Sequence, residues 1–256
     1  MDGLDLDWFY LPLSTLELTY TLSIVFIAGV LRGLAGFGFS ALCFFALAPV
    51  FSAQTIVPLM FAMEVMASVH LLPKVWRQIP WRWVAILCLG TLFGTPLGVV
   101  ALQYWQSDLV RGLAGGGVLI ACFALWRQWH FKAAETLIWL AMAGFVSGFV
   151  NGLASIGGLV VAVYMLSSNM PLTAMRAGLI LFFLLTDVYG LFWLNGHNLI
   201  SKDLPSLLLI MMPVMLIANQ IGYKLFDRID MAVMRKFTLG LLSGLAATAM
   251  YSAISQ

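Results

Sequence analysis

Two apolar runs of this chain, 16–50 and 135–168, are each too long for one straight membrane crossing. A bilayer core about 30 Å thick takes about 20 helical residues. Both runs are interrupted at a glycine cluster. The first reads Gly33-Leu34-Ala35-Gly36-Phe37-Gly38-Phe39, and the second reads Gly152-Leu153-Ala154-Ser155-Ile156-Gly157-Gly158, 119 positions later. Gly33, Leu34, Ala35 and Gly38 recur as Gly152, Leu153, Ala154 and Gly157. Backbone opened at membrane depth survives only against protein or a polar cavity. Matched interruptions in two halves of a chain point to a transporter's binding site.

Composition sets the class. Of 256 residues, 62% are hydrophobic and 9% charged, and the mean hydropathy is +0.99, whereas soluble domains carry about 25% charged residues. Such a chain cannot cover itself with polar surface, so an all-α integral membrane protein is expected, a single transmembrane domain over 1–256. The net charge of +2 implies no nucleic-acid partner. The acidic start, Met1-Asp2-Gly3-Leu4-Asp5-Leu6-Asp7, lacks the basic region of a signal peptide, so no cleaved leader is expected. Cys43, Cys88 and Cys122 are isolated in apolar runs and read as small hydrophobes.

The pattern predicts eight hydrophobic segments: 16–50, 55–72, 82–104, 109–126, 135–168, 172–194, 204–226 and 232–253. Glycines four apart, as in Gly90/Gly94/Gly98 and Gly144/Gly148/Gly152, let helices approach closely. Gly98, Arg111 and Gly116 match Gly222, Arg235 and Gly240 at a constant spacing. A duplication of about 120 residues follows, with repeats near 16–127 and 135–254 and a seam near 127–135.

Charge decides how the overlong runs lie. If all eight segments cross, Lys and Arg divide evenly between the two faces, against the usual cytoplasmic excess. If the fifth run breaks and returns, Lys74, Arg77, Arg82, Arg127, Lys132, Arg176, Lys224, Arg228, Arg235 and Lys236 share the cytoplasmic face, and only Arg111 and Lys202 lie outside. By the repeat, the first run is re-entrant too. The repeats are then inverted, with their broken hairpins meeting near the midplane. Eight plain spans with packing glycines are the alternative.

The glycine-rich break early in each half, with the length and the two-half plan, resembles the sulfite exporter TauE/SafE family of membrane permeases. That family's motif has the form GxxGxGGG. Here Gly33-Leu34-Ala35-Gly36-Phe37-Gly38-Phe39-Ser40 replaces two of the closing glycines, and Gly152-Leu153-Ala154-Ser155-Ile156-Gly157-Gly158-Leu159 departs further. The resemblance implies a bacterial inner-membrane transporter of a small anion such as sulfite, sulfoacetate or another sulfonate. It also implies no ATP-binding domain and no cofactor, in keeping with the lack of a GxxxxGK[ST] motif.

Arg32 is the sharpest single residue, since an unpaired charge at that depth costs at least about 2.5–3.5 kcal/mol. Its guanidinium fork suits a sulfonate or carboxylate. A half-helix starting near Gly38 or Ser40 would aim free N–H groups at the same spot. The candidate anion site is therefore Arg32, Gly33, Gly36, Gly38 and Ser40 from the first break, with Asn151, Gly152, Ser155, Gly157 and Gly158 from the second. The alternatives are an ion pair of Arg32 with Glu64 or Asp187, snorkelling of Arg32 to an interface, and close packing at the small residues. Glu64 and Asp187, intramembrane carboxylates on corresponding segments, are the candidates for proton coupling. Asn219 and Gln220 are expected to bond between helices.

His70, His130 and His197 have no metal-ligand spacing, so no metal is expected. The chain lacks HExxH and GxSxG, which argues against an intramembrane enzyme. A secondary transporter working by alternating access around a midplane site is the leading expectation, with a passive anion channel as its rival. Its partners are the small anion, the lipid bilayer and a coupling proton; a homo-oligomer is left open.

Overall fold

A computed structural model describes residues 13–127, 136–166 and 170–226, together with positions 240, 243, 244 and 247. The described residues are helical, with no strand among them. The first overlong run is two helices, α1 (Thr15–Ala35) and α2 (Phe39–Ala46), and the fifth run is likewise α6 (Leu137–Ala154) and α7 (Gly157–Leu166). Between and after them come α3 (Ala53–Val75), α4 (Trp81–Tyr104), α5 (Ser107–Trp126), α8 (Leu172–Gly196) and α9 (Leu204–Leu225). Seven of these are long and apolar enough to cross a membrane: α1, α3, α4, α5, α6, α8 and α9. Most of the expected eighth segment, the seam beyond residue 127, and the cations Lys132, Arg228, Arg235 and Lys236 lie outside the described residues.

The centre is the α3–α8 pair. In each, 61% of the most apolar window is buried, against 33% for α5 and α9. Around it, α1 packs on α9, and α4 packs on α6. Both outer pairs run parallel and are zipped by glycines. Gly29 faces Ala218, and Gly33 faces Gly222, where a Cβ on Gly33 would fall on the Asn219 carbonyl and come within 2.9 Å of the Gly222 Cα. On the other side Gly90 faces Gly144, and Gly98 faces Gly152, with a built Cβ 3.0 Å from the Gly152 Cα. Only glycine permits backbones this close, and close approach rather than apolar burial drives helix association in lipid.

Past each break the second helix ends beside the start of a long helix. The Tyr20 hydroxyl near the start of α1 donates to the Ala46 carbonyl at the end of α2, 2.6 Å away. Trp83 at the start of α4 meets Tyr164 near the end of α7, ring centroids 5.9 Å apart. Because α4 and α6 are parallel, that contact brings α7 back towards the level where α6 begins.

One cation counted above with the cytoplasmic face is buried: Arg176 sits inside α8 and is 5% exposed. Its guanidinium donates to the Gly33 carbonyl and stacks on Tyr223 and Phe226, centroids 4.6 and 4.3 Å away. Aromatic faces and a helix-end carbonyl stabilise its charge away from water.

Candidate functional site

Each break is built on a left-handed residue. Gly36 ends α1 at φ 80°, ψ 0°, and its N–H returns to the Arg32 carbonyl, 2.8 Å away. Ser155 ends α6 at φ 58°, ψ 27°, with its N–H on the Asn151 carbonyl at 2.7 Å. Glycine adopts that conformation freely, and serine at a cost of about 1–2 kcal/mol. Gly38, at φ 95°, then starts α2 as its N-cap.

The buried Arg32 side chain turns inward and bonds on all three nitrogens. Nε donates to Glu64 Oε2 at 2.6 Å, Nη1 to the Gly36 carbonyl, and Nη2 to Ser68 Oγ at 3.0 Å. The Glu64 carboxylate completes the set by accepting from Ser40 Oγ at 2.9 Å. Arg32, Glu64 and Ser68 are each 1% exposed or less, and Ser40 is 3% exposed. Of the expected partners of Arg32, the ion pair forms with Glu64, not Asp187.

Glu64 therefore sits at the mouth of α2 as an anion would. Its carboxylate spans Arg32 and Ser40, the second residue of α2. The N-cap Gly38 supplies no side-chain acceptor, and the first helical bond of α2 is the Leu42 N–H to the Gly38 carbonyl. The N–H groups of its first turn point towards that end without a side-chain cap. Space is open beside Gly38, where a built Cβ would meet no atom within 4 Å.

The second break differs. Asn151 Nδ2 donates to Asp187 Oδ1 at 2.7 Å, and Asn151 Oδ1 accepts from the Gly157 N–H at 3.2 Å, capping α7. Ser147 Oγ donates to the Gly157 carbonyl at 2.9 Å. Asp187 Oδ2 finds no hydrogen bond among the described residues; the adjacent Thr186 hydroxyl is taken by the Phe182 carbonyl. Ser155 Oγ is also buried without a partner among the described residues.

One ring joins the two breaks. Phe183 carries the Arg32 guanidinium 4.6 Å from its centroid, and it fills the space where Gly158 would bear a Cβ. The structure thus gathers Arg32, Gly36, Ser40 and Glu64 in one cluster and Asn151, Gly157 and Asp187 in another, with Gly158 reached through Phe183. Gly33 and Gly152 face neighbouring helices instead.

Sequence reading missed Ser68 and Phe183, yet the spacing between the two breaks pointed to both. The spacing of 119 that relates the breaks also carries Ser68 onto Asp187 and Glu64 onto Phe183. It carries Arg32 onto Asn151 as well. Applying the offset from the breaks to the helices beside them would have found these positions.

A bundle of apolar helices enclosing a buried, charged, twice-broken core defines a multi-pass integral membrane protein of the transporter class. The sulfite exporter TauE/SafE family model matches residues 21–249, and the chain belongs to that family. It is also similar to a curated protein of Cupriavidus necator described as a probable sulfite/organosulfonate exporter TauE. The two are 25% identical over 213 residues, 82% of each chain. No solved structure matches.

Proposed function

We propose that this protein is a secondary transporter of a small oxyanion of the sulfite or organosulfonate class, coupled to protons, with Arg32 as the anion-binding cation. The observation that carries the reading is the Glu64 carboxylate, held between Arg32 Nε and Ser40 Oγ at the uncapped start of α2. That carboxylate occupies the place a sulfonate or sulfite would take. Guanidinium, hydroxyl and helix N-terminus recognise both groups by the same donors. When Glu64 takes up a proton its pair with Arg32 weakens, and a substrate anion replaces it. Loss of the proton expels the anion. Asp187, with one oxygen open, is the second proton candidate, and the ring of Phe183 lies between the two centres.

The architecture supports alternating access. The pairings α1–α9 and α6–α4 exchange one half's first helix with the other half's fourth. Each of those pairs is parallel, and the short connections make α4 and α9 each antiparallel to the helix before it. The α3–α8 pair is antiparallel, with Gly178 lying against Pro80 just past α3 and Gly190 against Phe61. It follows that α1 and α6 run oppositely. Inverted repeats with hairpins that return to their own sides fit this pattern. The name of the Cupriavidus necator relative suggests export as the direction.

Flux of labelled sulfite into proteoliposomes, with sulfoacetate as comparison and with or without a proton gradient, tests the reading. Saturable, gradient-dependent flux lost in Arg32→Ala supports it. Flux indifferent to the gradient, with no counterflow, would favour an anion channel. Cysteines at the exposed Pro49 and Pro171 test the hairpins, since re-entrance places Pro49 outside and Pro171 in the cytoplasm. The opposite labelling would sink it.

A further inference from the structure

Polar groups take the nitrogens of Arg32, but its Cζ stands over the ring of Phe183, 4.6 Å from the centroid. That ring is 3% exposed and meets Phe182 edge-on, centroids 6.1 Å apart. Its far end lies on the backbone of Gly158, the second residue of α7. A Cβ built on Gly158 would fall on Phe183 Cζ and come within 2.8 Å of Cε1 and 2.9 Å of Cε2. One ring therefore fills the gap between the start of α7 and the cation beside the start of α2. Glycine at 158 sets how deep that ring can seat. The spacing of 119 makes the placement sharper, since Phe183 stands at the position of Glu64, and Gly158 at that of Phe39. At the one position α3 supplies the carboxylate on Arg32. At the matching position α8 supplies the ring beside it.

Sulfite and organosulfonates offer the same head to those donors. Guanidinium, hydroxyl and helix N–H groups bond to oxygens on sulfur in either case. Telling them apart falls to whatever faces the remaining position on sulfur, where sulfite has a lone pair and a sulfonate has carbon. Glu64 Oε2 is 2.6 Å from Arg32 Nε. An oxygen in its place is within about 8.5 Å of the ring centroid, once the bond from Nε to Cζ is added. A short organic group on the sulfur spans what is left between head and ring. The face of a phenyl ring is negative, so it favours C–H groups and disfavours oxygens and lone pairs. We infer that Phe183 is a specificity-determining residue of the anion site: its ring, seated to the depth that Gly158 allows, sets the size of the organic group a bound sulfonate can carry. The inference rests on reading Arg32 as the anion-binding cation. A ring that only packed the core or neutralised Arg32 would affect every anion alike.

Competition flux in proteoliposomes, sulfite against sulfoacetate and against benzenesulfonate, reports ratios of kcat/KM and tests this. Phe183→Leu is expected to raise benzenesulfonate relative to sulfite about tenfold, since even one methylene of pocket is worth that much, with sulfoacetate shifted less. Gly158→Ala, which drives the ring towards Arg32, should move the same ratio the other way. Ratios do not depend on how much protein folds, and Phe183→Met serves if the Leu variant does not fold. Unchanged ratios in a transporting variant overturn the inference, as do ratios moved the same way by Phe183→Leu and Gly158→Ala. Loss of all three fluxes from folded Phe183→Leu protein overturns it too, because the ring would then serve transport itself. Arg32→Ala separates the two readings. Normal sulfite flux there removes the central site on which the inference rests, whereas lost flux with unchanged Phe183→Leu ratios removes the inference alone.

Discussion

At the first break Arg32 reaches across to Ser68, and at the second Asn151 reaches across to Asp187; each pair is 36 residues apart. Arg32 and Asn151 are 119 positions apart, as are Ser68 and Asp187. Each break also ends on a left-handed residue whose N–H returns four residues back. The frames agree, and the chemistry diverges. In the first half the long side chain is a cation that can only donate, so α2 starts without a side-chain cap and Glu64 moves in. In the second half the amide at the same point both donates to Asp187 and accepts from Gly157, so α7 is capped and the acid keeps one oxygen open. The two breaks are like scaffolds that differ in single side chains, and on our reading those side chains divide the work: anion on one side and proton on the other.

The most damaging test of the shared frame is at its packing glycines. Gly33→Leu and Gly152→Leu each drive a side chain into the backbone of a neighbouring helix. Each should cost more than about 3 kcal/mol, the upper range for overpacking. Loss of a monodisperse, cooperatively melting protein would register it, and tolerance at one glycine alone would break the equivalence.

Next comes the charge difference. Arg32→Ala should end anion flux and, by orphaning Glu64, cost about 3–5 kcal/mol. Adding Glu64→Gln should recover most of the melting temperature and none of the flux. Asn151→Ala, losing a neutral amide, should cost only about 1–3 kcal/mol. Equal losses at the two positions would contradict the asymmetry.

Asp187→Asn should uncouple transport, leaving anion exchange within about threefold of wild type while uptake stops responding to a proton gradient. A gradient response that survives would assign coupling to Glu64 alone. The smallest effects belong to the turns. Gly36→Ala should lose about 1–2 kcal/mol from its left-handed backbone, and the new Cβ would press on the Arg176 Cγ at 3.0 Å. Ser155→Gly should gain up to about 1 kcal/mol at the matching position. Thermal melting in one detergent would compare them directly.

Much of the architecture was legible in the chain. The segments expected at 82–104, 172–194 and 204–226 lie within one or two residues of α4, α8 and α9, because long apolar runs between polar loops leave little freedom. The two overlong runs break where glycine clusters interrupt them. Gly36 and Gly38 permit φ values that other residues resist, and that local property needs no partner to be read.

The site was legible only in part. Arg32, Ser40, Glu64, Asn151 and Asp187 were identified from polarity at membrane depth, since a polar group there requires a reason. Their pairing was not readable from polarity alone: Arg32 had two acids within reach of argument, and packing brought Glu64 to it. Arg176 looked like a loop cation because it lies near a segment's start; in the fold it is buried against aromatic faces of α9 and the region after it. Ser68 and Phe183 carry no signal of their own, being an ordinary hydroxyl and an ordinary ring.

The sequence by itself determined that this chain lives in a membrane, crosses it as helices, and breaks twice at matched glycines, because hydropathy and backbone freedom are local properties. Tertiary structure alone decided that Gly33 meets Gly222, that Phe183 bridges the two breaks, and that Glu64 rather than Asp187 holds Arg32. Those outcomes depend on which helix faces come together in three dimensions, and residues distant in the chain reveal that only when packed.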